Sequence, residues 1–113
     1  MVNADSVRFL CVCQWGHSRS VAMARVLHGR GYPAIAIGQA SGGDAIIPLA
    51  DWASRIVIMQ PYFMGYIPVE HRAKVVLNDV GHDVWSNPYN SDLLKICSQF
   101  ANKMGWVGPS HES

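Results

Sequence analysis

The chain has 113 residues, of which 50% are apolar and 15% charged, and its formal net charge is +1. These values fit one compact domain with short flexible tails at about residues 1–5 and 108–113, and they exclude a disordered protein. No long Lys/Arg run supports nucleic-acid binding, and no apolar run approaches the roughly 20 residues that span a bilayer. Because the N-terminus lacks the features of a signal peptide, we expect a soluble, cytoplasmic protein without a membrane partner.

The N-terminal half of the chain predicts two strands with a helix between them. The apolar run 7–13 predicts the first strand, and residues 18–28 carry an apolar stripe at helical spacing. Gly29 and Gly31 suit the end of this helix, since glycine tolerates a left-handed C-terminal cap. Residues 33–37 predict the second strand. The polar, glycine-rich segment 39–44 is expected to be a loop.

The C-terminal half predicts two more strands. A short helix is expected around Pro48, and the continuous apolar run 55–59 is typical of a parallel strand covered on both faces. Residues 74–77 predict the fourth strand. A loop over 81–90 then leads to a final helix over 91–104.

Alternation of strands and helices predicts a parallel sheet with helices on both faces, a three-layer α/β/α fold. Ligands of such sheets bind beyond the carboxyl ends of the strands. Three segments should meet there: the loop 13–19, the residues after Met59 and the loop 79–90. We therefore expect the functional site at this edge.

The octapeptide at residues 13–20 reads Cys-Gln-Trp-Gly-His-Ser-Arg-Ser. Such a loop can surround a phosphate with backbone amides, with Cys13 beneath it as nucleophile and Arg19 as a bidentate clamp. The amides, the guanidinium and the start of the next helix should favour the reactive thiolate. Gly16 suits a left-handed turn, and Ser20 could donate a hydrogen bond to the departing sulfur. The residues expected to bind the phosphate are Gln14, Trp15, Gly16, His17, Ser18, Arg19 and Ser20.

The same residues allow simpler interpretations. Cys13 could be a buried thiol at a strand end, and Arg19 a solvated helix residue. Cys11, Cys13 and His17 form a Cys-x-Cys-x3-His cluster, but a fourth zinc ligand at the usual spacing is missing. We expect no metal and no other cofactor. Cys11 and Cys97 should pack in the core, although oxidation could join Cys11 to Cys13.

The octapeptide resembles the phosphate loop of the low-molecular-weight protein tyrosine phosphatase superfamily, where Cys-x5-Arg-Ser follows the first strand. Residues 51–59 are similar to its Trp-Ala-Asp-x-Ile segment. Over about residues 7–100, the chain resembles a small bacterial and phage branch of the superfamily. It implies a four-stranded sheet in the order 2-1-3-4 and a cysteinyl-phosphate intermediate. The superfamily usually has Asn at the position of Gly16 and often a second Cys at that of Ser18.

The superfamily's Asp-Pro general acid is absent, so the proton for the leaving group must come from elsewhere. Asp83 lies deep in the loop after the fourth strand and is our first choice. Asp79, nearer the strand end, is the alternative. Either aspartate could instead be a turn residue or helix cap, and His17 and His82 are weaker candidates.

The aromatic residues Trp15, Trp85 and Tyr89 could wall a slot for a phosphotyrosine ring, although Trp85 could equally anchor its loop to the core. The expected function is a cysteine-dependent phosphomonoester hydrolase, specifically a protein tyrosine phosphatase. Its partner would be a phosphorylated protein or a small aryl phosphate, with phosphate as product. An arsenate reductase-like enzyme and a pseudophosphatase that binds phosphoproteins without turnover remain alternatives. A thiol-relay reductase needs two later cysteines, and only Cys97 follows residue 13.

Overall fold

A four-stranded parallel sheet forms the centre of the computed structural model, which describes residues 7–108. Its strands are, in chain order, β1 (Phe9–Cys13), β2 (Ala34–Gly38), β3 (Arg55–Ile58) and β4 (Val75–Leu77). They lie in the order β2-β1-β3-β4, which confirms the expected topology. The expected tails, except for Gly108, lie outside the described residues.

Helices cover both faces of this sheet. They are α1 (Arg19–Gly29), α2 (Gln39–Gly42), α3 (Ile46–Trp52) and α4 (Ser91–Lys103), with 3-10 turns at Gly43–Ala45, Pro61–Tyr66 and Val69–Lys74. The chain adds β2 on one side of β1 and then β3 on the other side. Because both crossovers between these parallel strands are right-handed, α1 and α3 lie on opposite faces of the sheet. Helix α4 packs against α1. Over residues 7–108, no helix is long and apolar enough to cross a bilayer.

Strand β1 is the centre of the core and ends at the candidate nucleophile. All five of its residues are buried, since β2 and β3 flank it and helices cover it above and below. Its register pairs Cys13 with Gly38, the last residue of β2. Cys13 therefore lies at the carboxyl end of a central strand, the edge at which sheets of this type bind ligands.

One sequence prediction about local structure is wrong. The segment 39–44, expected to be a loop, forms the helical turn α2 followed by a 3-10 turn. Glycine-rich sequences disfavour helix, but tertiary hydrogen bonds hold this one. The amide of Ala40 donates to the carbonyl of Gln14 at 2.7 Å, and Ser41 Oγ donates to the carbonyl of Trp15 at 2.9 Å. These contacts fasten α2 to the loop that follows β1.

Candidate active site

The Cys13 sulfur lies at the bottom of the loop formed by residues 13–20, which we call the Cys13 loop. The side chain is 2% exposed. The thiol donates to Ser20 Oγ at 3.0 Å, and the amide of Gly16 donates to the sulfur at 3.2 Å. A hydroxyl can rotate, so Ser20 can donate to the sulfur once the thiol has lost its proton. Both contacts therefore suit a thiolate.

Two glycine backbones in close contact define the shape of the Cys13 loop. Gly16 has φ +75°, in the left-handed region, and a Cβ added there would lie 2.7 Å from the amide nitrogen of Gly38. A Cβ added at Gly38 would lie only 2.1 Å from the carbonyl carbon of Trp15. Neither position has room for a side chain, so the backbone of the Cys13 loop packs directly against the end of β2.

The Arg19 side chain is buried, with 1% exposure, and crosses to the two neighbouring loops. Its Nη1 donates to Gln60 Oε1 and, at 2.8 Å, to the carbonyl of Gly81. The guanidinium carbon lies 5.5 Å from the centre of the Phe63 ring. These contacts bring together the segments after β1, β3 and β4 at the edge that the topology predicts.

The buried charge of Arg19 has no counter-ion within residues 7–108. The structure pairs no described carboxylate with it, and its Nε is buried without any hydrogen-bond acceptor. Burial of an unpaired charge or donor is costly. Such an arrangement is typical of a site that an anion completes, since Nε and Nη2 can donate in parallel to two oxygens of one phosphate.

The Cys13 loop also presents backbone donors. Among described residues, the amides of Trp15, His17 and Arg19 have no backbone acceptor, while that of Gly16 points to the sulfur. Helix α1 begins here without an acidic residue in its first turn. The positive end of its dipole is therefore not offset locally, which favours an anion at this position.

Comparisons with solved structures give the same architecture. Wzb from Vibrio vulnificus in complex with benzylphosphonate matches with a TM-score of 0.70 and 16% identity, over 87% of this chain and 96% of that one. The YwlE arginine phosphatase from Geobacillus stearothermophilus matches with a TM-score of 0.64 and 15% identity, over 88% of this chain and 93% of that one. The tyrosine phosphatase Wzb from Escherichia coli K30 in complex with phosphate matches with a TM-score of 0.66 and 12% identity, over 86% of this chain and 94% of that one.

The chain has the low-molecular-weight tyrosine phosphatase fold. This confirms the fold implied by the sequence resemblance. No protein-family model and no curated protein sequence matches the chain, so its likeness to these enzymes is one of structure.

Within this fold, the two candidate acids lie on either side of Gly81, whose carbonyl contacts Arg19. Both aspartates are exposed. Asp79 Oδ1 accepts a hydrogen bond from the amide of Gly81 at 3.0 Å and so holds the turn. The carboxylate of Asp83 makes no hydrogen bond or ion pair with another described residue, which leaves it available to a ligand.

The three candidate wall residues have different environments. Trp15 lies on the Cys13 loop itself and is 50% exposed. Trp85 is half-buried and packs against the core, in line with the alternative role of loop anchor. Tyr89 is exposed, and the guanidinium of Arg25 on α1 lies 4.4 Å from its ring centre. His17 is exposed on the Cys13 loop.

The other two cysteines lie in the core and are free thiols. Burial, with smaller contributions from Cys97 and Cys13, raises the pKa of Cys11 well above its ordinary value. Burial also raises the pKa of Cys97 to about 12, against a hydrogen bond from Asn78 that lowers it. Since the thiolate is the nucleophile in disulfide chemistry, neither thiol is poised to react with Cys13.

Three residues of the site were missed in the sequence. Gly38 supports the turn of the Cys13 loop, and Gln60 and Gly81 bind Arg19. A signal existed for two of them, because Gly38 ends the second strand and Gln60 is the first polar residue after the third. Only the register and the side-chain contacts give these positions their roles.

Proposed function

We propose that this protein is a cysteine-dependent phosphomonoester hydrolase that acts on phosphotyrosine in proteins or on small aryl phosphates. The observation that carries the proposal is the buried Arg19 guanidinium, which has no carboxylate partner among the described residues and belongs to the Cys13 loop. An incoming phosphate would supply the missing negative charge and accept from its Nε and Nη2. The phosphatase neighbours of the same fold support this reading.

In the first chemical step, the Cys13 thiolate attacks phosphorus opposite the leaving group. A sulfur–phosphorus bond forms while the phosphorus–oxygen bond to the substrate breaks. Asp83 gives its proton to the departing oxygen, and the product leaves as the free phenol or alcohol. Arg19 and the free amides of the Cys13 loop hold the three equatorial oxygens as their charge changes.

In the second step, a water molecule attacks phosphorus and gives its proton to the Asp83 carboxylate. The sulfur–phosphorus bond breaks, and Cys13 leaves as a thiolate that accepts from Ser20 and from the amide of Gly16. Inorganic phosphate is released. The free carboxylate of Asp83 supports its role as the acid and base, whereas the turn made by Asp79 supports an orienting role.

Turnover of p-nitrophenyl phosphate tests the proposal, with Cys13→Ser, Asp83→Asn and Asp79→Asn beside the wild type. We expect no activity in Cys13→Ser and a roughly 100-fold or larger loss in Asp83→Asn. Asp79→Asn should lose much less. Asp51→Asn, at the opposite edge of the sheet, is the matched control and should be unchanged. Wild-type protein without turnover at any pH between roughly 5 and 8 would contradict the proposal.

The substrate class requires a separate comparison. Phosphotyrosine and phosphoarginine peptides of the same sequence should be tested side by side, because one neighbour of this fold is an arginine phosphatase. We expect faster hydrolysis of phosphotyrosine, since exposed Trp15 can contact an aromatic ring. A preference for phosphoarginine would contradict this substrate assignment and leave the hydrolase mechanism in place. Binding of phosphate without turnover of any ester would indicate a pseudophosphatase.

A further inference from the structure

Backbone hydrogen bonds on both sides of Gln60 fix the position of this residue. The preceding residue, Met59, donates to the carbonyl of Val12 at 3.1 Å and accepts from the amide of Val80 at 3.2 Å. Gln60 itself is extended and precedes the 3-10 turn Pro61–Tyr66, where its carbonyl accepts from Phe63 at 3.2 Å. Its side chain therefore leaves the sheet edge from a defined position.

Gln60 and the turn that follows it supply two of the groups that contact Arg19. Gln60 Oε1 accepts from Nη1, and the Phe63 ring from the same turn lies beside the guanidinium. The second acceptor of Nη1 is the carbonyl of Gly81. An Nη1 group has two hydrogens, so these two oxygens satisfy it completely. The Nε–Nη2 edge of Arg19 is left for another ligand.

Both acceptors are neutral, and this matters for anion binding. A carboxylate in place of either would form an ion pair with Arg19 and compete with a phosphate for its positive charge. An amide oxygen orients the guanidinium and leaves its charge in place. A neutral acceptor therefore favours a site that an anion completes.

We propose that Gln60 is a positioning residue for the phosphatase reaction, acting through Arg19. It directs the Nε–Nη2 edge toward the phosphate, and by sharing Nη1 with Gly81 it fixes the start of the loop that carries Asp83. This inference rests on the proposed function. It adds a requirement that residue 60, two positions after the end of β3, be an uncharged hydrogen-bond acceptor.

The deciding variant is Gln60→Glu, which has the same size and still accepts from Nη1. We expect the inhibition constant of inorganic phosphate and the KM for p-nitrophenyl phosphate to rise roughly tenfold or more, because the new carboxylate competes for Arg19. The melting temperature should stay unchanged or rise. A purely structural role for Gln60 predicts an unchanged phosphate affinity, since the new side chain would still hold Arg19 through a hydrogen bond.

Gln60→Met tests the other half of the inference, the loss of the acceptor. It should lower kcat/KM roughly tenfold while phosphate still binds, as Arg19 keeps its charge and loses its orientation. Gln99→Glu and Gln99→Met, at an exposed position on α4, are the matched controls and should behave as wild type.

Calorimetry with inorganic phosphate separates failure of this inference from failure of the proposed function. Wild-type protein that neither binds phosphate nor turns over ester overturns the proposed function. Wild-type protein that does both, together with a Gln60→Glu phosphate affinity within twofold of it, overturns the role of Gln60. Weakened binding in Gln60→Glu with normal binding in Gln99→Glu supports it.

Discussion

Replacement of Gly38 by alanine tests the contact that shapes the Cys13 loop. The new methyl group would lie 2.1 Å from the carbonyl carbon of Trp15 and 2.4 Å from the amide nitrogen of Gly16. Both neighbours are backbone atoms, which cannot rotate away as a side-chain end could. Since unstrained carbon contacts are about 3.5–4.0 Å, the loop would have to move by roughly 1.4 Å or more.

This displacement should affect activity more than stability. Overpacking of this kind costs about 1–3 kcal/mol, a substantial part of the marginal stability of a small domain. A shift of about 1 Å in a catalytic group costs on the order of 100-fold in rate. The movement occurs within the residues that would hold phosphate, so we expect kcat/KM to fall at least that much in protein that still folds.

Urea denaturation and p-nitrophenyl phosphate turnover would measure the two effects in one preparation. Gly29→Ala is the matched control, because a methyl group there meets no atom within 4 Å. It should keep full activity and gain up to about 1 kcal/mol from reduced backbone entropy. Gly38→Ala with wild-type stability and wild-type kcat/KM would refute the role of this glycine contact.

Three further substitutions test other contacts. Arg19→Lys should lower kcat/KM on the order of 100-fold, because an ammonium cannot donate in parallel to two phosphate oxygens; a loss smaller than tenfold would contradict the bidentate geometry. Asn90→Ala removes the cap that accepts from two amides at the start of α4 and should cost about 1 kcal/mol in urea denaturation. The exposed Asn102→Ala is its control, and equal costs would refute the capping role. The pKa of Cys97 is raised to about 12 in the folded state, so the unfolded thiol ionises first and stability should fall as pH rises above about 9. Cys97→Ala should show a shallower decline, and parallel curves would contradict it.

The strands and the position of Cys13 at the end of the first one could be predicted from the sequence because their signals are local, whereas the order of the strands was implied by the resemblance to a known family. The apolar runs mark buried parallel strands, and their alternation with helices limits the topology to few arrangements. The spacing from Cys13 to Arg19 likewise lies within one loop. Predictions failed where long-range contacts outweigh local preference. Helix α2 forms at a glycine-rich segment because the carbonyls of Gln14 and Trp15 accept from it.

By itself, the sequence determined which chemistry is available: a strand that ends in a cysteine, an arginine six residues later and a helix that begins there. These features lie close together along the chain, so the composition and spacing of the residues are enough to predict them. The tertiary structure decided what surrounds that chemistry. Gln60 and Gly81 are 41 and 62 residues from Arg19, and only the order of strands in the sheet brings their oxygens to its Nη1. The absence of a carboxylate beside this guanidinium, among the residues described, is a property of packing that no spacing along the chain reveals.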